Sequence, residues 1–102
     1  MKIRYTANAS AELTQIFDYV AHENPRAAAA IVRRVEVVVG RLALFPGMGH
    51  ACDVPGVLIA PLVRYPYAIY YTVEDDDLIV LHIHHSARRP PEFHETTSEF
   101  RR

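Results

Sequence analysis

Three histidines close together in the chain, His82, His84 and His85, are the residues whose type and spacing first suggest chemistry. On a β-strand, His82 and His84 point to one face and His85 points to the other. Two imidazoles on one face could bind a transition metal if His50 or His94 supplied a third ligand. Because no carboxylate or cysteine lies at ligand spacing beside them, the sequence favours two histidines on a half-exposed sheet face and predicts neither a metal nor a cofactor.

A second candidate site combines arginine, tyrosine and histidine around a predicted hairpin. Arg64 and Tyr65 precede its first strand, whereas His85 and Arg88 close its second strand. Because the start of one antiparallel strand lies beside the end of its partner, these side chains are expected at one end of the sheet. Such a cluster could perform acid–base chemistry on an RNA phosphodiester, with arginine holding the phosphate. The competing interpretation is a cluster of charges at the strand ends that either contacts the carboxylates of a partner or has no binding role.

The first half of the chain is predicted to form one strand and then two helices. Lys2–Tyr5 alternates charged and apolar residues, as expected for a half-buried strand. Apolar residues then recur at helical spacing over Leu13–Val20, and this helix is expected to end near Glu23. Asn24 and Pro25 suit the N-cap and the first position of a second helix. The short joint between the helices predicts an antiparallel helical hairpin.

The second half of the chain is predicted to supply the rest of the sheet. Residues 46–56 contain several prolines and glycines without a regular period, so a loop is expected there. Val57–Val63 indicates a strand at an edge or bulge, because Pro61 interrupts it. Tyr67–Val73 and Leu78–His85 flank an acidic turn as a β-hairpin. The order β-α-α-β-β-β predicts an α+β fold in which the helical hairpin covers one face of a four-stranded, mostly antiparallel sheet.

Length and composition restrict the classes of protein that remain. The chain has 102 residues, is 50% hydrophobic and carries a formal net charge of -1. This length suits one domain, predicted at residues 1–91, followed by a polar tail at 92–102. The near-neutral charge argues against a mainly electrostatic nucleic-acid binder. The single cysteine excludes an internal disulfide, and no signal-peptide or membrane-spanning pattern is present, so a cytoplasmic location is expected.

Four stretches of the chain match a set of family motifs in the same order. Ile16–Pro25 is similar to an IxDYIAxxNP stretch, and Arg41–Gly49 is similar to an RLxxFPxxG helix ending. Arg64–Tyr71 is similar to a YPYxIxYxV strand, and His85–Arg88 is similar to an HGAR terminus. Together these stretches resemble the RelE/ParE superfamily of toxins from type II toxin-antitoxin modules.

The resemblance implies a toxin with one of two activities. ParE-like members poison DNA gyrase and are not enzymes, whereas RelE-like members cut mRNA in the ribosomal A site with basic residues and a tyrosine. RelE-like chains usually carry arginine at the position where this chain has Ala68, and a near-neutral charge fits poorly with gripping ribosomal RNA. The ParE-like branch is therefore favoured, with the RelE-like endoribonuclease as the alternative.

The same resemblance selects candidate site residues for each activity. For a toxin that binds its target, the expected contact residues are Arg64, Tyr65, Arg88 and Arg89. For a nuclease, the expected catalytic residues are Tyr65, His85 and Arg88. Arg88 belongs to both sets, so a substitution there discriminates between the two activities by the size of its effect.

A cognate antitoxin is the partner that the resemblance implies. Antitoxins of this class lay a C-terminal segment along the toxin and fold as they bind. The broad apolar stripe of the second helix is expected to supply that contact, unless both faces of the helical hairpin pack internally; it consists of Ile31, Val35, Val38 and Leu42. Because serine replaces the usual glycine at position 86, a non-toxic protein that only binds its antitoxin is a further alternative.

Overall fold

The computed structural model describes residues 1–93, in which two helices pack on a five-stranded sheet. The predicted α+β class is confirmed, and the part of the predicted tail from residue 94 onward lies outside the described residues. Neither helix is both long and apolar enough to cross a membrane. The elements in chain order are β1 (Lys2–Tyr5), α1 (Ala7–Ala21), α2 (Pro25–Leu44), a short 3-10 helix (Pro46–Met48), β2 (His50–Ala51), β3 (Leu58–Pro61), β4 (Tyr67–Glu74) and β5 (Asp77–His85).

Side-chain caps fix where the two helices begin. The Thr6 hydroxyl accepts a hydrogen bond from the Ala9 N–H at 3.0 Å and donates one to the Leu81 carbonyl at 2.8 Å. Asn24 caps α2 in the same way, and Pro25 occupies the start of that helix as predicted. The caps produce the predicted helical hairpin, and Thr6 also fastens the start of α1 to strand β5.

The strands lie in the order β1-β5-β4-β3-β2. β1 runs parallel to β5 and the other neighbouring pairs are antiparallel, so the sheet is mostly antiparallel as predicted. The predicted count of four strands is wrong, because His50–Ala51 forms a fifth strand inside the segment expected to be a loop. Its two residues pair with Ile59 and Leu58, and a strand this short has no periodic pattern for a sequence to reveal.

Apolar clusters lie on both faces of the sheet. The larger cluster joins the helices to the sheet and includes Leu42 of α2 and the fully buried Tyr71 of β4. The smaller cluster lies on the opposite face and includes Tyr70, Leu81 and Val57. The face opposite the helices is therefore partly covered by its own apolar residues and by the loop that precedes β3.

A register shift interrupts the pairing of β4 with β5. Tyr70 pairs with His82, whereas the next residue, Tyr71, pairs with Val80, so β5 carries one extra residue at this point. Beyond the bulge, the rings of His82 and His84 lie with their centroids 5.5 Å apart. The prediction that these two histidines share a face of the sheet is therefore confirmed.

Candidate functional site

The β4–β5 hairpin brings the ends of its two strands together at one end of the sheet. Tyr67 at the start of β4 pairs with His85 at the end of β5. The Ser86 N–H donates a hydrogen bond to the Pro66 carbonyl at 2.7 Å, which extends the contact beyond the strands. The rings of Tyr67 and His85 meet edge to face, with centroids 5.4 Å apart. The segments on either side of the hairpin are thus adjacent.

The predicted target-binding residues flank this end of the sheet but do not all enter one cavity. Arg64, Arg88 and Arg89 are exposed, whereas Tyr65 is half-buried and packs against the larger apolar cluster. A groove of about 390 Å³ opens between α1 and the end of β5, and Arg88 and His85 line it. Within the part of the chain that the structure describes, Arg88 is the one arginine that lines this groove.

Glu12 of α1 lines the same groove, although the sequence did not single it out. Its carboxylate accepts hydrogen bonds from the Ile83 N–H at 2.9 Å, from His82 Nδ1 at 3.0 Å and from His84 Nε2 at 2.9 Å. Pairing between β1 and β5 ends at Tyr5, so the Ile83 N–H lies on the stretch of β5 beyond its neighbour strand. Glu12 therefore accepts a backbone hydrogen bond that a neighbouring strand would otherwise accept at this edge of β5.

The pKa of the Glu12 carboxyl lies below its ordinary value. Partial burial alone would raise this pKa, but hydrogen bonds from His82, the Ile83 N–H and His84, with the charge of His82, favour the carboxylate and outweigh burial. Glu12 is therefore ionised at neutral pH and acts as an acceptor, so both imidazoles must present an N–H to it. The other ring nitrogen of His84, Nδ1, is buried and has no hydrogen-bond partner within residues 1–93.

Aromatic rings hold the two histidines in place. His82 is only 6% exposed, and its ring centroid lies 5.1 Å from that of Phe93. His84 is half-buried, and its ring lies 6.3 Å from that of Tyr70. The expectation of a half-exposed pair therefore holds for His84 and is wrong for His82, which the Phe93 ring and the Glu12 carboxylate cover.

The donor atoms of Glu12, His82 and His84 all lie within 4.8 Å of one another. Two imidazole nitrogens and a carboxylate oxygen form a ligand set that zinc uses in proteins. Of the third ligands suggested by the sequence, His50 lies on β2, separated from β5 by β3 and β4, and His94 lies outside the described residues. The carboxylate comes instead from a helix 70 residues earlier in the chain, so no local spacing reveals it.

His85 is arranged as a hydrogen-bond donor. Its Nδ1 accepts a hydrogen bond from the Ala87 N–H at 3.1 Å. In a neutral imidazole the proton then lies on Nε2, so the ring presents an N–H at Nε2 and no lone pair. This arrangement differs from the one that a general base requires.

The stripe of α2 predicted to contact an antitoxin is buried. Ile31, Val35 and Leu42 are 5%, 0% and 1% exposed, and Val38 is half-buried against them. The alternative left open by the sequence, in which the helical hairpin packs this stripe internally, is therefore the one observed, because the stripe packs against α1 and the sheet. The large apolar side chains that the helical hairpin does expose are Phe17, Tyr19, Val37 and Leu44, with Phe45 directly after α2.

Comparisons with known protein sequences find toxins. A family model described as the ParE toxin of the type II toxin-antitoxin system parDE matches residues 3–90. The chain is 33% identical over 85 residues to Y4kP of Sinorhizobium fredii, named as a toxin candidate, and the match covers 81% of this chain and 88% of that protein. It is 32% identical over 87 residues to toxin RelE2 of Caulobacter vibrioides, covering 85% of this chain and 97% of that protein.

Comparisons with solved structures find the same fold. The chromosomal ParDE toxin-antitoxin system of P. aeruginosa matches with a TM-score of 0.75 and 27% identity, covering 83% of this chain and 95% of that one. The isolated E. coli RelE toxin matches with a TM-score of 0.66, covering 96% of this chain and 92% of that one. Its 14% identity supports a shared fold alone. These neighbours carry the helical hairpin and sheet described above.

Proposed function

The chain belongs to the family of ParE toxins of type II toxin-antitoxin systems, and from that premise we propose that it inhibits DNA gyrase by binding it. Gyrase is the target that the resemblance to the ParE-like branch implies. In this proposal the toxin acts through surface contacts and not as a nuclease, and a cognate antitoxin neutralises it by binding. The likeness to the P. aeruginosa ParDE system supports both the branch and the antitoxin partner.

The charge of the groove is the observation that carries the proposal. The ionised carboxylate of Glu12 lines the same groove as Arg88. A carboxylate repels a phosphodiester and offsets the attraction of one arginine. An RNA-cleaving site needs donors that stabilise the additional negative charge of the transition state. This groove is therefore poorly suited to RNA cleavage and is compatible with contact to a protein.

The other two nuclease candidates also lack suitable placement. The Tyr65 side chain packs against the apolar core and does not line the groove within the described part of the chain. His85 presents a donor at Nε2, because its Nδ1 accepts the Ala87 N–H. An acid–base pair needs one group that can remove a proton from the attacking hydroxyl, and neither side chain is arranged to do so.

We place the antitoxin contact on the exposed apolar side chains of the helical hairpin. Tyr19 is 81% exposed, Leu44 is 73% exposed and Phe45 is 62% exposed. Contiguous exposed apolar side chains mark interaction surfaces, and the adjacent Leu44 and Phe45 at the end of α2 form such a pair, which an antitoxin segment that folds as it binds would bury. This surface replaces the buried stripe of α2 as the proposed contact.

The RelE-like alternative has one structural observation in its favour. Arg88 and His85 lie in one groove, which is the pairing that phosphate binding and proton transfer require. The relative named RelE2 is consistent with this alternative. A third alternative, a non-toxic protein that only binds its antitoxin, requires no target site.

Inducible expression of the full chain in bacteria distinguishes the three proposed functions. Growth, a DNA-damage reporter and bulk translation are followed after induction, with and without the cognate antitoxin. Growth arrest with the reporter on, relieved by the antitoxin, is the result expected for gyrase inhibition. Arrest with collapsing translation and a silent reporter would establish the nuclease instead. Normal growth with folded protein present would establish the non-toxic alternative.

An assay with purified gyrase tests the target directly. The full chain is expected to inhibit DNA supercoiling, and Arg88→Gln is expected to weaken inhibition by about tenfold or less, because one arginine is part of a larger contact. Arg33→Gln, which changes an exposed arginine of α2, is the matched control and should inhibit normally. Cleavage of ribosome-bound mRNA that Arg88→Gln lowers by about a hundredfold or more would overturn the proposal.

A further inference from the structure

We propose that Glu12, His82 and His84 bind a divalent transition metal of the zinc class, which bridges helix α1 to the free edge of strand β5. The three donor atoms already converge within 4.8 Å. The site lies in the groove that Arg88 and the exposed Tyr19 also line, and metal binding by its three side chains requires neither gyrase nor an antitoxin. Its occupancy can therefore be measured on the free toxin.

The distances in the cluster are close to those of a coordinated metal. Zinc bonds of about 2.1 Å in a tetrahedron separate the ligand atoms by about 3.4 Å. Glu12 Oε2 lies 3.0 Å from His82 Nδ1 and 2.9 Å from His84 Nε2. The carboxylate therefore needs to move by a few tenths of an ångström, and the two imidazole nitrogens need to approach each other by about 1.5 Å at most. Side-chain rotation alone can supply such shifts.

The charge and the ring tautomers also suit a cation. Imidazole binds a metal in its neutral form, and with both imidazoles in that form the Glu12 carboxylate gives the cluster one negative charge that attracts a divalent ion. Each imidazole bonds the metal through the nitrogen that faces Glu12, and its proton moves through solvent to the other ring nitrogen. For His84 that nitrogen is Nδ1, which is buried without a partner in residues 1–93 whichever tautomer the ring adopts, so the change of tautomer breaks no existing hydrogen bond there.

The surroundings of the cluster orient its ligands. The Ile83 N–H holds Glu12 Oε1 at 2.9 Å, which leaves Oε2 directed at both imidazoles. The Phe93 ring covers His82. Hydrogen bonds and packing around the ligands raise the affinity of metal sites. Glu12 and His84 also line the groove, so water or another solvent-side ligand can complete the coordination.

Metal titration of the full chain tests the site. The protein is freed of metal with a chelator and titrated with Zn²⁺ by calorimetry, and its melting temperature is followed in parallel. We expect one equivalent to bind and the melting temperature to rise by about 10 °C at hundredfold excess over the dissociation constant. Mg²⁺, which prefers oxygen ligands, should produce neither effect.

Matched histidine variants assign the binding to this cluster. His84→Gln is expected to weaken Zn²⁺ binding by at least about tenfold. His50→Gln removes an exposed histidine of β2 and should leave the affinity unchanged. Equal affinities for the two variants, or no binding of Zn²⁺ to the unmodified chain, would overturn the proposal.

Cobalt spectroscopy keeps the proposal testable if His84→Gln does not fold. Co²⁺ is added to the unmodified, metal-free chain, and its visible spectrum reports the coordination geometry. The intense bands of four-coordinate Co²⁺, lost on addition of one equivalent of Zn²⁺, are the expected result. The weak spectrum of hydrated Co²⁺ would contradict the site.

Discussion

The Glu12 carboxylate lies 2.9 Å from Nε2 of His84, although 72 residues separate the two in the chain. This contact joins helix α1 to the edge of strand β5. It places an ionised carboxylate in the groove that holds Arg88, and it supplies two of the three ligands of the proposed metal site. Glu12 of α1 therefore both disfavours RNA cleavage in the groove and supplies a ligand of the proposed metal site.

Glu12→Gln is expected to lower the free energy of unfolding at neutral pH by about 1–3 kcal/mol, because the carboxylate accepts hydrogen bonds from buried or half-buried groups. The folded-state pKa of Glu12 is lowered, so its stabilisation is fully present above its ordinary pKa of 4.5 and is lost as the pH falls through the folded value. The difference between the two proteins should therefore shrink on acidification. Urea denaturation with a chelator present, at about pH 7 and about pH 3, measures it.

Glu23→Gln is the control for that experiment, because Glu23 is exposed after the end of α1. Its effect should stay within about 0.5 kcal/mol at either pH. A cost of Glu12→Gln that is the same at both pH values would show that the charge of Glu12 does not stabilise the fold.

Tyr71→Phe is expected to lower the free energy of unfolding by about 1–3 kcal/mol. The Tyr71 hydroxyl donates to the Pro46 carbonyl at 2.6 Å and accepts the Gly49 N–H at 3.0 Å, so its removal leaves both backbone groups without this partner. Tyr19→Phe removes an exposed hydroxyl and should change stability by less than about 0.5 kcal/mol. Thermal denaturation of the two variants checks the contrast, and equal shifts would refute the role of the Tyr71 hydroxyl.

Gly49→Ala is expected to destabilise the protein by about 1–3 kcal/mol through steric overlap. A Cβ at Gly49 would lie 2.5 Å from the Tyr71 hydroxyl oxygen, whereas a Cβ at Gly47 would meet no atom within 4 Å. Combining Gly49→Ala with Tyr71→Phe should cost less than the sum of the single changes, because the overlapping oxygen is then absent. A double-mutant cycle measures this coupling, with Gly47→Ala as the control substitution, and strict additivity would contradict the contact.

Val35→Ala and Leu44→Ser are expected to act on different properties. Val35 is fully buried, so its truncation should lower the free energy of unfolding by about 1–3 kcal/mol while the folded fraction binds the antitoxin normally. Leu44 is 73% exposed, so its replacement should weaken antitoxin binding several-fold with little loss of stability. Calorimetric titration with the cognate antitoxin, together with urea denaturation, separates the two effects. Normal antitoxin affinity of Leu44→Ser would move the interface away from the hairpin surface.

The sequence by itself determined the helices, the long strands and the family. Helix caps, periodic apolar residues and turn residues act over a few positions, so Asn24 and Pro25 predicted the joint of the helical hairpin and Tyr67–Val73 predicted β4. The adjacency of the segments around the β4–β5 hairpin also followed from local order, because a hairpin must bring its strand ends together.

Only the tertiary structure decided the composition of the candidate site. The strand His50–Ala51 exists because β3 offers it a partner, and the stripe at Val35 is buried because α1 and the sheet cover it. His82 is buried and Glu12 meets His84 because β1 stops short and α1 runs along the exposed edge of β5. The contact of Glu12 with His84 joins residues 72 positions apart, and its geometry depends on the path of the whole chain, which no local pattern contains.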